Sequence, residues 1–275
     1  MPTIAGDAEG TSAMAQLTPT SAAAYPPLYD FLVIGEGVVG LSILRSAAPS
    51  GLRCALVEAA PHILSGASSR NPGIACTGVD ASPGTLERRL IRESIGEETM
   101  GAFFRDMNLP AMPRGSLVCI WDRDGPKGGD RDGGGDGADS TSEIFRLEAV
   151  ARESWEAGDS ASIMTADEVA ELEPSLSPSC RGAVHIEGET VVDPWLFPVA
   201  LACHARENGG IIYTDWPFDP EGSKFDGGTW TVTRGAGGSG CGPRGRDDVA
   251  PPTIRARAVV NAAGIDADLV QSRTP

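Results

Sequence analysis

A short apolar strand that runs directly into a glycine-rich turn constrains this chain more than any other feature. Residues 31–34 are Phe-Leu-Val-Ile, and the pattern Gly35-Glu36-Gly37-Val38-Val39-Gly40 follows at once. Helical character then extends from Val38 to Ala48 and ends at Pro49, so we predict a strand, a tight turn and a helix. Because the 275 residues include 35 glycines, a chance pattern in an ordinary strand-turn-helix unit is the alternative.

The spacing of the three glycines is typical of a turn that holds a diphosphate. Gly35 permits the tight turn, Gly37 lets the backbone approach a pyrophosphate, and Gly40 lets the helix pack closely on the strand. The first helical residues, Val38 and Val39, offer unpaired N–H groups and the positive end of the helix dipole to an anion. The turn therefore predicts a site for a dinucleotide.

A second predicted strand, from Arg53 to Glu58, ends in an acid that supports the same interpretation. Glu58 lies about eighteen residues beyond Gly40, where a dinucleotide-binding unit places the carboxylate that accepts hydrogen bonds from the ribose hydroxyls. A carboxylate at this position disfavours a nucleotide with a 2′-phosphate, because the two charges repel. The alternative is a solvated glutamate at the end of a strand.

The segment from Ser65 to Ile74 is a polar loop with small residues and one cation. Hydroxyl side chains such as Ser68 and Ser69, together with Arg70, can donate to a diphosphate, and Gly73 can let the backbone pass close to a flat ring. Composition alone predicts only a loop here.

Charge and cysteine usage exclude several classes of function. The formal net charge of -16 argues against a nucleic-acid partner or an anionic membrane surface, since both attract positively charged proteins. The six cysteines form no C-x-x-C pair and the three histidines are widely separated, so we predict no metal site. Reduced cysteines indicate an intracellular protein, with cytoplasm and mitochondrion left open. No apolar run approaches the length of a membrane span.

The organisation of the remaining chain is less regular. We expect a disordered leader at 1–28, one domain at 29–275, and flexible Gly-rich insertions near 122–142 and 235–252. Predicted elements are amphipathic helices between Thr85 and Met107 with weak points at Gly96 and Gly101, a strand at 114–121, a helix after the capping box at Thr165, a strand at 181–187, a helix that Asp193 and Pro194 begin and that runs to Asn208, strands at 210–214, 229–234 and 254–261, and a final helix after Gly264.

These motifs together resemble the FAD-dependent oxidoreductases of the D-amino-acid oxidase superfamily, and most closely its glycerol-3-phosphate dehydrogenases. The resemblance rests on the glycine turn, Glu58, the loop from Ser65 to Gly78, and the segments Arg114-Gly115-Ser116-Leu117, Val192-Asp193-Pro194 and Asn261-Ala262-Ala263-Gly264. L-2-hydroxyglutarate dehydrogenases are near relatives in this superfamily.

The resemblance implies an α/β fold, with a Rossmann-like parallel sheet that binds FAD and a partial, largely antiparallel substrate sheet. It implies that Ser68, Ser69, Arg70 and Asn71, with Gly73 and Ile74, line the diphosphate and flavin, and that Ala263 and Gly264 lie against the cofactor. The implied reaction is hydride transfer from a small hydroxy substrate to flavin N5, with a quinone, a carrier protein or oxygen as electron acceptor.

Two departures from the family pattern leave other functions open. Cys76 stands where many relatives have a histidine, and a neutral thiol is a poor base, so no catalytic residue is assigned. The chain also ends where the family continues, so we expect a partner chain or a longer protein to supply the remainder. Oxidation of a 2-hydroxy acid or an amino acid, or a non-catalytic FAD-binding role, are the alternatives.

Overall fold

The computed structural model describes residues 26–121, 140–242 and 245–273, which contain both strands and helices. Its strands are β1 (Leu28–Ile34), β2 (Cys54–Val57), β3 (Ile74–Ala75), β4 (Ala111–Pro113), β5 (Ser116–Trp121), β6 (Ala161–Thr165), β7 (Cys180–Ile186), β8 (Thr190–Val192), β9 (Ile211–Tyr213), β10 (Phe218–Phe225), β11 (Trp230–Arg234), β12 (Cys241–Gly242), β13 (Gly245–Val249) and β14 (Thr253–Asn261). Its helices are α1 (Val38–Ala47), α2 (Leu86–Ser94), α3 (Ala102–Asp106), α4 (Ser140–Glu156), α5 (Ala166–Leu172), α6 (Leu196–Glu207) and α7 (Ala267–Arg273).

The largest sheet has six strands in the order β10-β11-β14-β1-β2-β9. Strands β14, β1, β2 and β9 run parallel, whereas β11 is antiparallel to β14 and β10 is antiparallel to β11. Leu32, Val33 and Ile34 are all buried, as expected for a parallel strand that is covered on both faces. The predicted α/β fold with a Rossmann-like parallel sheet is confirmed.

Alternate residues of the parallel strands pack into two separate hydrophobic cores. Val33 and Leu56 face α1 and α6, where they contact a cluster that includes Leu44. Their neighbours Leu32 and Ile34 face the opposite side and pack in the cluster around Trp216. This alternation fixes the sheet between two layers, so the loops at its carboxyl edge have a rigid base.

Besides the main sheet there are two three-stranded antiparallel sheets, with strand orders β3-β8-β4 and β5-β7-β6, and a two-stranded one formed by β12 and β13. Helix α4 packs Leu147 and Ala151 against Val184 and Ile186 of β7. The predicted antiparallel part of the fold is therefore present as two three-stranded pieces within the described residues.

The helix predicted from Asp193 and Pro194 has its regular bounds at Leu196–Glu207. The side chain of Asp193 accepts hydrogen bonds from the N–H groups of Trp195 (2.8 Å) and Leu196 (2.9 Å), as a helix cap does. Pro198 has no N–H to donate to the carbonyl of Pro194, so regular helical bonding begins later than predicted.

The apolar segment between Thr85 and Met107 forms α2, a single π turn at Glu97–Gly101, and α3. Thr85 caps α2 by accepting from the N–H of Arg88, and the interruption follows Gly96 as predicted. Within this segment, α3 packs on the core of the main sheet through Phe103 and Phe104, and Met100 of the π turn packs against the same core. Leu86 and Leu90 are 60% and 52% exposed, so the expectation that α2 also covers this sheet is wrong.

The predicted domain boundaries differ from the structure at several points. Leu28, placed in the leader, begins β1 and pairs with Arg255, while 1–25 lie outside the described residues. The first insertion lies outside them at 122–139, and Ser140 already belongs to α4. The second, at 235–252, contains β12 and β13 and is more regular than expected. Within the described residues no helix is both long and apolar enough to span a bilayer.

Candidate functional site

The turn between β1 and α1 is shaped by backbone contacts that leave no room for side chains. Gly35 has a φ of +104°, and a Cβ at this residue would overlap the carbonyl oxygen of Ala262. A Cβ at Gly40 would overlap the carbonyl oxygen of Gly35, because α1 packs directly on the turn. The glycines at these two positions are therefore required by packing in this structure.

Glu58, directly after β2, is held against this turn by two backbone hydrogen bonds. Its Oε2 accepts from the N–H of Glu36 and its Oε1 accepts from the N–H of Ala60, both at 2.9 Å. Each carboxylate oxygen can accept a further hydrogen bond. The carboxylate is thus fixed in position and retains the capacity to accept from hydroxyl groups of a ligand.

A cavity of about 510 Å³ opens at the carboxyl ends of β1, β2 and β14. Its lining residues come from five segments, at 34–37, 57–59, 64–68, 216–220 and 262–270. In open sheets with parallel strands, ligands bind in the crevice outside the carboxyl ends of the strands. The cavity thus lies where a cofactor of an α/β fold is expected, and its volume suits a small ligand or part of a larger one.

The structure brings six of the predicted site residues together and places the others around them. The residues that line the cavity are Gly35, Gly37, Glu58, Ser68, Ala263 and Gly264. The predicted residues outside this lining are Val38, Val39, Gly40, Ser69, Arg70, Asn71, Gly73 and Ile74.

Ser68 caps helix α1 from thirty positions away in the sequence. Its Oγ accepts a hydrogen bond from the N–H of Val38 at 2.8 Å, whereas the N-cap residue Gly37 has no side chain to do so. A Cβ at Gly37 would lie 3.3 Å from the same Oγ. The expectation of an unpaired N–H at Val38 is therefore wrong, because a hydroxyl from the neighbouring loop occupies it.

The loop after Ser68 is organised by the side chain of Asn71. Its Nδ2 donates to the carbonyl of Ser68 at 2.8 Å, and its Oδ1 accepts from the N–H of Gly73 at 2.9 Å. Gly73 has a φ of +69° and accepts from the N–H of Val192 at 2.7 Å. A backbone hydrogen bond therefore connects this loop to the end of β8.

The remaining predicted residues of the loop differ in their exposure. Ser69 is buried and donates from its hydroxyl to the carbonyl of Leu64, so it stabilises the loop from within. Arg70 and Ile74 are exposed beside it.

Cys76 follows this loop in a position that disfavours the thiolate. Burial, followed by the nearby carboxylates of Glu189 and Asp80, raises the pKa of its thiol. Its Sγ lies 3.6 Å from the carbonyl oxygen of Ile74. The thiol is neutral at pH 7, which agrees with the expectation that it is a poor base.

Three further residues of this region were not singled out in the sequence. Glu36 is buried between the first two glycines. The presence of an acid within the glycine pattern is the sequence feature that could have identified it. Trp216 is fully buried, lines the cavity and donates from Nε1 to the carbonyl of Pro251 at 2.8 Å. Glu189 is buried and accepts from both the N–H (3.0 Å) and the hydroxyl (3.2 Å) of Thr77.

A comparison with protein families decides how this site is to be interpreted. The family described as FAD dependent oxidoreductase matches residues 30–275, which includes all five segments of the cavity lining. The chain belongs to this family of FAD-dependent oxidoreductases. In α/β folds, a glycine turn after the first strand and an acid after the second are typical of a unit that binds an adenine dinucleotide.

Individual relatives of this FAD-dependent oxidoreductase agree with the family assignment. It is 28% identical over 187 residues to a glycerol 3-phosphate dehydrogenase of Caloramator mitchellensis, covering 68% of this chain and 35% of the relative. It is 29% identical over 238 residues to one subunit of the anaerobic glycerol-3-phosphate dehydrogenase of Escherichia coli K12, covering 86% of this chain and 37% of the relative. The chain thus spans little more than a third of the length of these curated relatives.

The fold of the oxidoreductase also matches a solved structure. The L-alpha-glycerophosphate oxidase of Mycoplasma pneumoniae, reduced with dithionite and with FAD bound, superposes with a TM-score of 0.72 at 20% identity. The match covers 90% of this chain and 57% of that protein. At this level of identity the likeness shows a shared fold.

Proposed function

We propose that this chain binds FAD in the cavity at the carboxyl edge of its parallel sheet and forms the cofactor-binding part of a dehydrogenase. The observation that carries the proposal is the convergence of the Gly35 turn, Glu58 and the turn at Ala263 on one cavity. The tightly packed turn at Gly35, beside an acid with free acceptor capacity, suits the adenosine diphosphate half of FAD.

Each predicted residue has a role in this proposal. Gly37 and the N–H of Val39 hold the diphosphate at the start of α1. The N–H of Val38 donates to Ser68, whose hydroxyl lies in the cavity lining beside them. Glu58 accepts from the ribose hydroxyls. Ala263 and Gly264 close the opposite wall of the cavity.

The loop at Arg70 has a different role, because it lies outside the cavity lining. Arg70, with the backbone that Asn71 organises around Gly73 and Ile74, extends the site towards the flavin ring. Ser69 keeps this loop closed from within.

The substrate we propose is a small hydroxy compound, with glycerol 3-phosphate favoured because it is named in the similar dehydrogenases and oxidase. Bound FAD supplies flavin N5 as hydride acceptor. The chain's own contribution is to bind and orient the cofactor. Cys76 does not act as the base, since its environment raises its pKa. A quinone, a carrier protein or oxygen then accepts the electrons, and we propose an intracellular location.

The first test is uptake of FAD by the purified chain. We expect flavin absorbance to co-elute with the protein after incubation with FAD. The Gly37→Val variant should lose this absorbance, because the side chain points from the cavity wall towards Ser68 and blocks the approach of the diphosphate. Gly228→Val is the matched control, since its Cβ would meet only Asp226 Oδ1 at 4.0 Å. A wild-type chain that takes up no FAD would contradict the proposal.

The second test concerns the substrate. Under anaerobic conditions, glycerol 3-phosphate should bleach the bound flavin, whereas L-2-hydroxyglutarate and amino acids should not. Bleaching by one of the latter compounds alone would reassign the substrate class. Uptake of FAD with no bleaching by any of them, and no turnover with a dye acceptor, would favour a non-catalytic FAD-binding subunit that needs a partner chain.

A further inference from the structure

Glu36 occupies the turn in a way that neither the diphosphate cradle nor the ribose contact explains. It is 2% exposed, lines the cavity, and both of its carboxyl oxygens lack a hydrogen-bond partner within the described part of the chain. A buried polar group without partners is costly. An ionised carboxylate at this position would destabilise the turn much more than the neutral acid does.

The surroundings of Glu36 favour the neutral acid. Burial makes the largest contribution to a raised pKa of the Glu36 carboxyl, and the carboxylate of Glu58 after β2 raises this pKa further. The guanidinium of Arg206 on α6 lowers it. Together they raise the pKa of the Glu36 carboxyl from 4.5 to about 8. At neutral pH the turn therefore presents one negative charge, that of Glu58, rather than two.

The position of Glu36 makes this charge relevant to the ligand. Its own N–H donates to Glu58 at 2.9 Å, and it stands between Gly35 and Gly37, the residues proposed to hold the diphosphate. Both carboxyl oxygens are covered by protein, so Glu36 acts on a bound diphosphate through its charge rather than by direct contact. Salt and water screen a buried charge weakly.

We propose that Glu36 sets the affinity of this turn for its cofactor: the dinucleotide binds while the Glu36 carboxyl is neutral, and ionisation of that carboxyl weakens binding. The inference rests on the proposed binding of FAD and adds a residue that determines its strength. Binding is then linked to one proton, because the anionic diphosphate favours the protonated acid.

The linkage has a defined size. If only the neutral form is competent to bind, the apparent dissociation constant is inversely proportional to the neutral fraction of Glu36, which gives a loss in affinity of about tenfold between pH 7 and pH 9. In the Glu36→Gln variant, which keeps the shape and cannot ionise, we expect wild-type affinity at pH 7 and no such loss at pH 9.

The experiment is calorimetric titration of the full chain with FAD at pH 7 and pH 9, for the wild type, Glu36→Gln and the exposed control Glu87→Gln. Measurements at pH 9 in buffers of different ionisation enthalpy count the protons taken up on binding. We expect an uptake close to one proton for the wild type and Glu87→Gln, and none for Glu36→Gln. A purely structural role of Glu36 would not produce this pattern.

The outcomes separate this inference from the proposed function. Wild-type binding that is equally strong at both pH values, or takes up no proton at pH 9, overturns the role of Glu36 alone. The same holds if Glu36→Gln loses affinity with pH as the wild type does. If Glu36→Gln does not fold, the proton count of the wild type decides by itself. No FAD binding at either pH overturns both the inference and the proposed function.

Discussion

The glycine turn and the loop from Ser69 to Thr77 are both proposed to contact FAD, yet they are held in place by different means. The turn is fixed by backbone atoms in direct contact, as Gly40 packs on Gly35 and Gly35 packs on Ala262. The loop is fixed by side-chain hydrogen bonds: Asn71 bonds to the backbone within the loop, and Thr77 donates across the fold to Glu189. The first arrangement tolerates no added atom, whereas the second depends on particular polar groups.

This difference predicts that the two regions fail in different ways. A side chain added at Gly35 or Gly40 should disrupt the turn, because the neighbouring atoms belong to the backbone and cannot easily move to accommodate it. Loss of a polar group should weaken the loop by the cost of a few hydrogen bonds. Three substitutions test this, in order of decreasing effect.

The largest effect is expected for Gly40→Val. The new side chain would overlap the carbonyl oxygen of Gly35, so helix α1 must separate from the turn. We expect a loss of about 5 kcal/mol or more in the free energy of unfolding, measured by urea denaturation. The matched control Gly228→Val should lose less than about 1 kcal/mol. Similar losses in the two variants would show that the turn is not sterically fixed.

Glu36→Gln, unlike Gly40→Val, should be more stable than the wild type, by a margin that grows as the pH rises. The folded-state pKa of Glu36 lies above its unfolded value, so the wild type is most stable below pH 4.5 and loses stability as the pH rises to about 8. The variant has no such loss, and the difference should reach on the order of 4 kcal/mol by pH 9. Urea denaturation from pH 5 to pH 9, with Glu87→Gln as control, measures it. Parallel pH profiles for wild type and Glu36→Gln would refute the neutral state of Glu36.

The smallest of the three effects is expected in the loop, for Glu189→Ala. The change leaves the buried N–H of Thr77 without its acceptor and should cost about 2 kcal/mol. Glu189→Gln keeps an acceptor oxygen in place and should cost clearly less. Thermal unfolding of the two variants measures the difference. If both lose the same stability, the carboxylate charge rather than the hydrogen bond holds the loop.

The same contrast explains how much the sequence could predict. Gly35, Gly40 and Glu58 were assigned correctly to one turn and its neighbouring strand, because glycine spacing and an acid at a strand end are local signals. The capping box at Thr165 was predicted for the same reason, and the structure confirms it. In these cases each residue acts within a short stretch of chain.

Features that depend on distant residues were missed. The bond between Thr77 and Glu189 joins residues that are 112 positions apart, and Ser68 caps a helix that begins thirty residues earlier. The burial of Glu36 depends on the surrounding fold, so the glycine pattern alone assigned it no role. Strand β10 was missed because Pro220, Glu221 and Gly222 are typical of a turn.

The central claim is that the cavity at the carboxyl edge of the parallel sheet holds the adenosine diphosphate half of FAD. A crystal structure of the chain with FAD tests it most directly. We expect the diphosphate beside Gly37 and the N–H of Val39, and the ribose hydroxyls within hydrogen-bonding distance of the Glu58 carboxylate. Electron density for FAD at another surface, with this cavity empty, would contradict the claim.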